Sequence, residues 1–375
     1  MGRRTGLQAV GVTGVAAGRF RAIEALLVDA VGNTVCPAAA AEVGTSSGPV
    51  WQSAAGWLDD TAQRPASVDS VFDLASLTKV IVTTTLAMRQ VDAGGLTLET
   101  RIGDLLSTWE GGDRAHVTVG DLLAHASGLS AYLPFYRDHV GRREFEAAIC
   151  RLPLEYVPRS RSIYSDLGFI LLGFLLEDLA GSRLDEQFAG VCVGLEFGGL
   201  LFRPAAADRE RIAPTGVDPW RGRCLRGEVH DGNAWALGGA AGHAGLFGSA
   251  RAVGTFARHV LADARGATPR GERLASAAVL ERFLRRTDVP GSSRALGWDT
   301  MLPTSSCGPK MHVTAIGHTG FTGTSLWIDI EADAYFVLLT NRVHPDPANE
   351  AILTLRPTFH SMAIDALGTR SPQEA

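Results

Sequence analysis

The stretch "DLASLTKV", Asp73 to Val80, places a lysine three positions after Ser76. Of the 35 lysines and arginines in this 375-residue chain only Lys79 and Lys310 are lysine. A helix opening at Ser76 sets Ser76 and Lys79 one turn apart on the same side, with their heads within hydrogen-bond reach. A serine hydroxyl is a poor nucleophile until a neighbouring base takes its proton, and an amine in a partly desolvated cleft does that. The open N–H groups of a helix start also favour the oxyanion formed when a hydroxyl attacks a carbonyl. An N-cap serine followed by a solvated lysine satisfies the short S-x-x-K pattern equally well. Here Lys79 runs directly into "VIVTTTLAM" (Val80–Met88), apolar and β-branched, which argues for burial instead.

Working outward, the residues before this stretch read as a helix and a hairpin. "RFRAIEALLVDAVG" (Arg19–Gly32) has helical spacing, and "PAAAAEVG" and "GPVWQSAAGWLDD" read as strands around the turn "GTSSG" (Gly44–Gly48). That turn also satisfies G-x-S-x-G, but a strand follows it where a nucleophile elbow needs a helix. After Ser76 the segments are long and helical, such as "LGFILLGFLLEDLAG", closed by Gly181, and "SARAVGTFARHVLADARG", opened by Ser249. Near the end "TAIGHTGFTG", "TSLWIDIEA" and "AYFVLLTNR" return to strand chemistry, and "NEAILTLRPTFHSMAIDALG" reads as a helix interrupted by Pro357. The expected fold is α/β (α+β): an antiparallel sheet built from both chain ends, flanked by N- and C-terminal helices, with a large helical domain inserted. Residues 19–75 and 300–370 form the sheet lobe in this reading, 76–299 the helical lobe, and the site lies in the cleft between them.

Composition bounds the function. Hydrophobic residues make up 46% of the chain and charged residues 20%, enough to bury a large core. The net charge of -5 and the lack of a dense Lys/Arg run exclude the footprint of a nucleic-acid or anionic-membrane binder, leaving a small-molecule or short-peptide substrate. "FILLGFLLEDLAG" reaches Glu177 and Asp178 before the roughly 20 apolar residues a membrane span requires. The five cysteines are widely spaced with no C-x-x-C pair, and the ten histidines contain no H-E-x-x-H, so no disulfide framework, metal or other cofactor is expected. Residues 1–18 have the outline of a weak secretory signal but too little apolar character, and read as a disordered extension. A cytoplasmic location follows, or a periplasmic or secreted one if they act as a signal. Oligomeric state is not legible.

Two further stretches complete a pattern. "SIYSDLGFILLG" carries Tyr164 and Asp166 on a loop entering a helix, and "AIGHTGFTGTSLWID" carries His318, Thr319 and Gly320 on a strand. S-x-x-K, then a Y-x-N-like element, then a K-T-G-like element in this order resembles the serine β-lactamase and penicillin-binding protein superfamily across nearly the whole chain. The tyrosine form is most similar to the class C β-lactamases, the D-Ala-D-Ala carboxypeptidases and the esterases of that fold. "VTVGDLLAHASGLS", "NAWALGGAAGHAGLFGSA" and "LLTNRVHP" resemble their connecting segments.

The resemblance implies roles. Ser76 is the acylated nucleophile, Lys79 its base or proton relay, and Tyr164 the second proton carrier that serves the leaving group. His318 takes the usual lysine position, hydrogen-bonding Tyr164 or a substrate carboxylate, and Thr319 offers the substrate a hydroxyl. The N–H groups of Ser76 and Phe321 form the oxyanion hole, with Gly320 keeping the strand edge open. Asp166 departs from the pattern by replacing asparagine: a carboxylate near Lys79 favours its ammonium form and shifts proton traffic to Tyr164. The expected activity is hydrolysis of an ester or amide, of small-acyl ester or D-alanyl peptide type, through an acyl-enzyme on Ser76. β-Lactam hydrolysis is an alternative, and a silent ligand- or cell-wall-binding protein on the same fold is the rival of another class. His125 and His243 read as structural turn residues, Trp51, Trp57 and Trp327 as core, and Tyr132, Phe135 and Tyr136 as candidates to border the cleft.

Overall fold

The computed structural model describes residues 7–8, 16–268 and 273–368. Most of the 1–18 segment lies outside them; within it, Leu7–Gln8 pairs with Ala55 and Ala54 as an edge strand. A seven-stranded sheet, antiparallel throughout, places strands in the order Leu7–Gln8, Gly48–Gly56, Ala38–Thr45, Ala334–Thr340, Ser325–Asp329, Ile316–Thr319 and Asp299–Thr300. The early hairpin and the late strands meet at its centre, where Ala39 pairs with Thr340 and Gly44 with Tyr335.

Alternation along the strands divides the core. Ala39, Ala41, Val43, Trp327, Phe336 and Leu338 face the layer containing helices Arg21–Gly32 and Ile352–Leu367. Ala38, Ala40, Leu326, Val337 and Leu339 face the larger helical side. The last helix runs through Pro357 instead of breaking there. Proline falls in its second turn and removes one backbone hydrogen bond close to the open end, while Phe359, Ala363 and Ile364 beyond it are buried against the sheet. The central helix Asp166–Ala180 is buried at every position from Leu167 to Leu176; Ser165 caps its start and Gly181, at φ 64°, ends it in the left-handed conformation. No helix among the described residues is long and apolar enough to cross a membrane.

Helix Ala250–Ala264 lies directly on the sheet because alanine strands and Gly254 permit close approach. A β-carbon at Gly254 would stand 1.9 Å from Glu42 Oε1, and that carboxylate is fully buried, accepting from the Tyr335 hydroxyl at 2.6 Å and Arg258 at 3.1 Å. Alanine gains about 1 kcal/mol of helix propensity over glycine, but moving a locked carboxylate costs more. Gly254→Ala is therefore expected to lower stability by roughly 1–3 kcal/mol, read as a fall in the urea midpoint at unchanged slope. A midpoint that rises would show that Glu42 yields freely.

Candidate active site

The helix carrying Lys79 begins at Leu77, one residue after Ser76, and residues Lys79–Thr84 wind as a π-helix before Thr85–Asp92 becomes α-helical. Ala75, immediately before Ser76, sits at φ 48°, a conformation that costs a residue bearing a β-carbon about 1–3 kcal/mol. Surrounding hydrogen bonds hold it there. Asp73 Oδ1 accepts the Ala75 N–H at 2.8 Å and Thr78 Oγ1 donates to Ala75 O at 2.6 Å. From the turn between strands Ile316–Thr319 and Ser325–Asp329, Thr322 donates to Asp73 O at 2.7 Å and Thr324 to Leu74 O at 3.0 Å. Asp73 Oδ2 takes the His230 N–H at 2.7 Å, tying in a third segment. Burial pushes the Asp73 carboxyl up to about 6 against the pull of these two N–H groups.

Lys79 is wholly buried. Its Nζ donates to Ser76 Oγ at 3.0 Å and to the His243 carbonyl at 3.1 Å, and it stands 2.6 Å from Asp166 Oδ1. Burial pulls the ammonium down, yet Asp166 and Tyr164 outweigh it and hold Lys79 above its ordinary value. The carboxylate expected to bias Lys79 thus makes direct contact. Tyr164 lies beside the same group, its ring 4.8 Å from Nζ; burial holds the phenol above its usual value although Lys79 pulls it down. Its hydroxyl stands next to Ser76 and Lys79 without a hydrogen bond of ordinary geometry.

His318 packs against Tyr164 with ring centroids 5.6 Å apart. Its Nδ1–H donates to Thr319 O at 2.8 Å, since a carbonyl only accepts, and this leaves Nε2 as a buried lone pair without a partner. Burial, together with Arg294 and Lys79, keeps the imidazole neutral, well below its usual value. A neutral acceptor suits a hydroxyl donor such as Tyr164 rather than a carboxylate. Thr319, Gly320 and Phe321 continue along the cavity wall. Gly320 is required because a β-carbon there would lie 2.1 Å from Thr324 Oγ1 and 2.6 Å from Leu74 O. Among the described residues neither the Ser76 nor the Phe321 N–H has an acceptor, so both are open to an oxyanion.

These groups line a cavity of about 810 Å³. Ser76, Tyr164, Asp166, His318, Thr319, Gly320 and Phe321 face it, with Lys79 beneath Ser76. Tyr132 and Tyr136 border it, while Phe135 packs on Phe145 and His139. His243 lines it as well, its carbonyl seating Lys79 and its Nε2 2.8 Å from Asp231; His125 is buried against the Tyr164 ring. Sequence reasoning missed Arg294, Arg342, Arg356 and Trp220, which come from separate loops and helices and carry no local pattern. Of Arg294, the guanidinium stands 5.2 Å from the Tyr164 ring centre, and its ion-pair contact with Asp299 is 4.0 Å.

Asp166→Asn tests the Lys79–Asp166 contact. With the carboxylate gone, burial, already the largest single influence on Lys79, loses its main opponent and the amine frees at lower pH. The rising limb of kcat/KM against pH is expected to move toward acid by about one unit or more. An unchanged profile would show that Lys79 does not titrate in the rate-determining steps.

A family model described as Beta-lactamase matches residues 23–356. A "Putative D-alanyl-D-alanine carboxypeptidase" of Salmonella gallinarum is 30% identical over 325 residues, covering 76% of this chain and 73% of that protein. An N-acetylmuramyl-L-alanine amidase of Bacillus subtilis is 30% identical over 322 residues, covering 75% of this chain and 70% of its own length. Among solved structures, a penicillin-binding protein homologue from Caulobacter crescentus superposes with a TM-score of 0.73 at 20% identity, covering 96% of this chain and all of the other. EstCE1, a hydrolase with promiscuous acyltransferase activity, superposes with a TM-score of 0.72 at 20% identity over 92% and 98% of the two chains.

Proposed function

Because the chain belongs to the Beta-lactamase family of serine hydrolases, we propose that Ser76 is acylated by a short peptide ending in D-alanine and that water then releases the acyl group. The observation that carries this reading is Arg294. Its guanidinium stands at the cavity beside Tyr164 and, among the described residues, makes only a long ion pair with Asp299, so it is available for a substrate carboxylate. His318, neutral and an acceptor, does not compete for that charge. The name of the Salmonella relative, a putative D-alanyl-D-alanine carboxypeptidase, supports the same substrate class, and that of the Bacillus amidase supports cleavage of an amide.

Proton movements follow from the charge states. Lys79, held as an ammonium by Asp166, cannot take the Ser76 proton directly; it pulls Tyr164 toward ionisation instead. Tyr164 acts as the phenolate, formed by loss of its proton to solvent beside the Lys79 ammonium: it accepts the Ser76 proton as the hydroxyl attacks the carbonyl, and passes it to the leaving nitrogen as the tetrahedral intermediate collapses. The free N–H groups of Ser76 and Phe321 receive the oxyanion. In the second half-reaction a water stands where the leaving group stood and Tyr164 again moves the proton. Small-acyl ester hydrolysis is the second reading, favoured by the apolar and aromatic surface of the cavity. β-Lactam turnover is less supported, since ionised Asp166 lacks the N–H donor of an asparagine.

The test compares release of D-alanine from a peptide ending in D-Ala-D-Ala with cleavage of its C-terminal amide. Amidation and Arg294→Gln are each expected to lower kcat/KM by roughly 10–100-fold, the worth of one charge-assisted hydrogen bond, and together little more than either alone. Equal rates for acid and amide would remove the carboxylate from recognition and favour the ester reading.

A further inference from the structure

We infer that the cavity holds a second charged subsite, an aromatic-walled carboxylate built on Asp231, that takes a cationic group, a primary or quaternary ammonium, on the acyl side of the substrate. The inference rests on the acyl-transfer reading of Ser76 and goes beyond it, because neither the three motifs nor the reaction needs Asp231. Asp231 Oδ1 is committed to the Ala234 N–H at 2.7 Å and His243 Nε2 at 2.8 Å. Among the described residues no donor reaches Oδ2, and the carboxylate lines the cavity. Apart from His243 on Oδ1, the cations nearby are engaged elsewhere: Lys79 by Asp166, and Arg221 by Asp218, Glu228 and the carbonyls of Val229 and His230. Burial pushes the Asp231 carboxyl up, but His243 and the Ala234 N–H outweigh it and bring it down to about 2, so it carries its charge at any working pH.

Aromatic faces surround this charge. The Tyr136 ring is pressed against Gly232, where a β-carbon would stand 2.6 Å from it, and its N–H donates to Asn233 Oδ1 at 3.0 Å. Trp220 meets Tyr136 edge-on at 5.6 Å, and Tyr132 lies close enough for the Asp231 charge to help raise its phenol. Trp220 is 53% exposed and Tyr132 44%, large aromatic areas left open on the cavity wall. Arg137 stands 5.9 Å from the Tyr136 ring centre but is not part of that wall. A fixed carboxylate among open aromatic faces is the chemistry that selects an ammonium over a neutral group of equal size. With Arg294 elsewhere in the same cavity, the pair of subsites suits a zwitterionic substrate such as a short peptide bearing a free amine.

The test uses p-nitrophenyl esters of ω-trimethylammonio acids with two to six methylenes, each beside its neutral tert-butyl analogue. At the best length the cationic ester is expected to exceed the neutral one in kcat/KM by roughly 10–100-fold. Asp231→Asn and Trp220→Leu should each bring that ratio toward one, and added salt should lower it. Trp220→Leu keeps the reading falsifiable if loss of the Asp231–His243 contact disturbs the Lys79 seat. A ratio near one at every length, or a ratio unmoved by both substitutions, overturns the subsite. If no ester is cleaved, the hydrolase reading fails separately, and calorimetry with hexyltrimethylammonium decides: saturable binding weakened by Trp220→Leu retains the subsite, and no binding overturns it.

Discussion

Ser76→Ala is expected to lower turnover by roughly 10⁴–10⁶-fold, leaving only what the oxyanion donors and substrate binding supply. Exposure of the parent protein to an activated fluorophosphonate should add one adduct to the intact mass, absent from the variant. The reason is geometric. Ser76 Oγ is the hydroxyl in hydrogen-bond contact with Lys79 Nζ, and two unoccupied N–H groups stand ready for the oxyanion. Removing Oγ removes the covalent route and leaves the helix start, the strained turn and the cavity in place, so the melting temperature should change little. An adduct of equal yield on the variant would place the reactive hydroxyl elsewhere, and no adduct on either would favour the silent-binder reading.

Lys79→Met is expected to lower kcat/KM by roughly 10³–10⁴-fold, the scale of a lost proton relay. Methionine fills the apolar space beside Tyr164 and Phe169 but leaves Asp166 facing the nucleophile without its ion pair. A stability loss of about 1–3 kcal/mol should accompany it and largely vanish in the double variant with Asp166→Asn. The sign with pH is fixed. A group raised in the folded state contributes stability in full below its unfolded value and loses it as pH rises through the folded one. For Lys79 the stability difference between parent and variant should therefore stay level through neutral pH and shrink only in the alkaline range, above its ordinary value. Urea titrations at several pH values check this; a difference that collapses near neutrality would mean that Lys79 is not held as an ammonium.

What could be read in the sequence was local. Ser76 and Lys79 share one helical turn, and Tyr164 and His318 each stand in a short pattern whose chemistry is carried by adjacent residues. Ser249 and Gly181 announce helix ends because caps involve neighbours in the chain. Arg294 was invisible for the opposite reason: it reaches the cavity from a segment that only tertiary packing brings there. Asp73 was in plain view within "DLASLTKV", but nothing local says that its carboxylate takes the N–H of His230, 157 positions away. The left-handed Ala75 was equally hidden, since alanine rarely adopts it and only surrounding bonds make it stable. Pro357 misled for a simple reason: propensity speaks for an isolated helix, and burial against the sheet overrode it.

The sheet whose centre joins the two ends of the chain also sets a clock. Glu42 and Tyr335, bonded across that centre, lie 293 positions apart. A contact so distant closes late, because the entropy of bringing the ends together opposes it until most other structure exists. Ser76 leaves the ribosome 246 and 248 positions ahead of Thr322 and Thr324, which clamp its turn. A nascent chain therefore carries the proposed nucleophile long before it can use it, and the capacity to be acylated arrives only once the segment bearing Thr322 and Thr324 has emerged and folded.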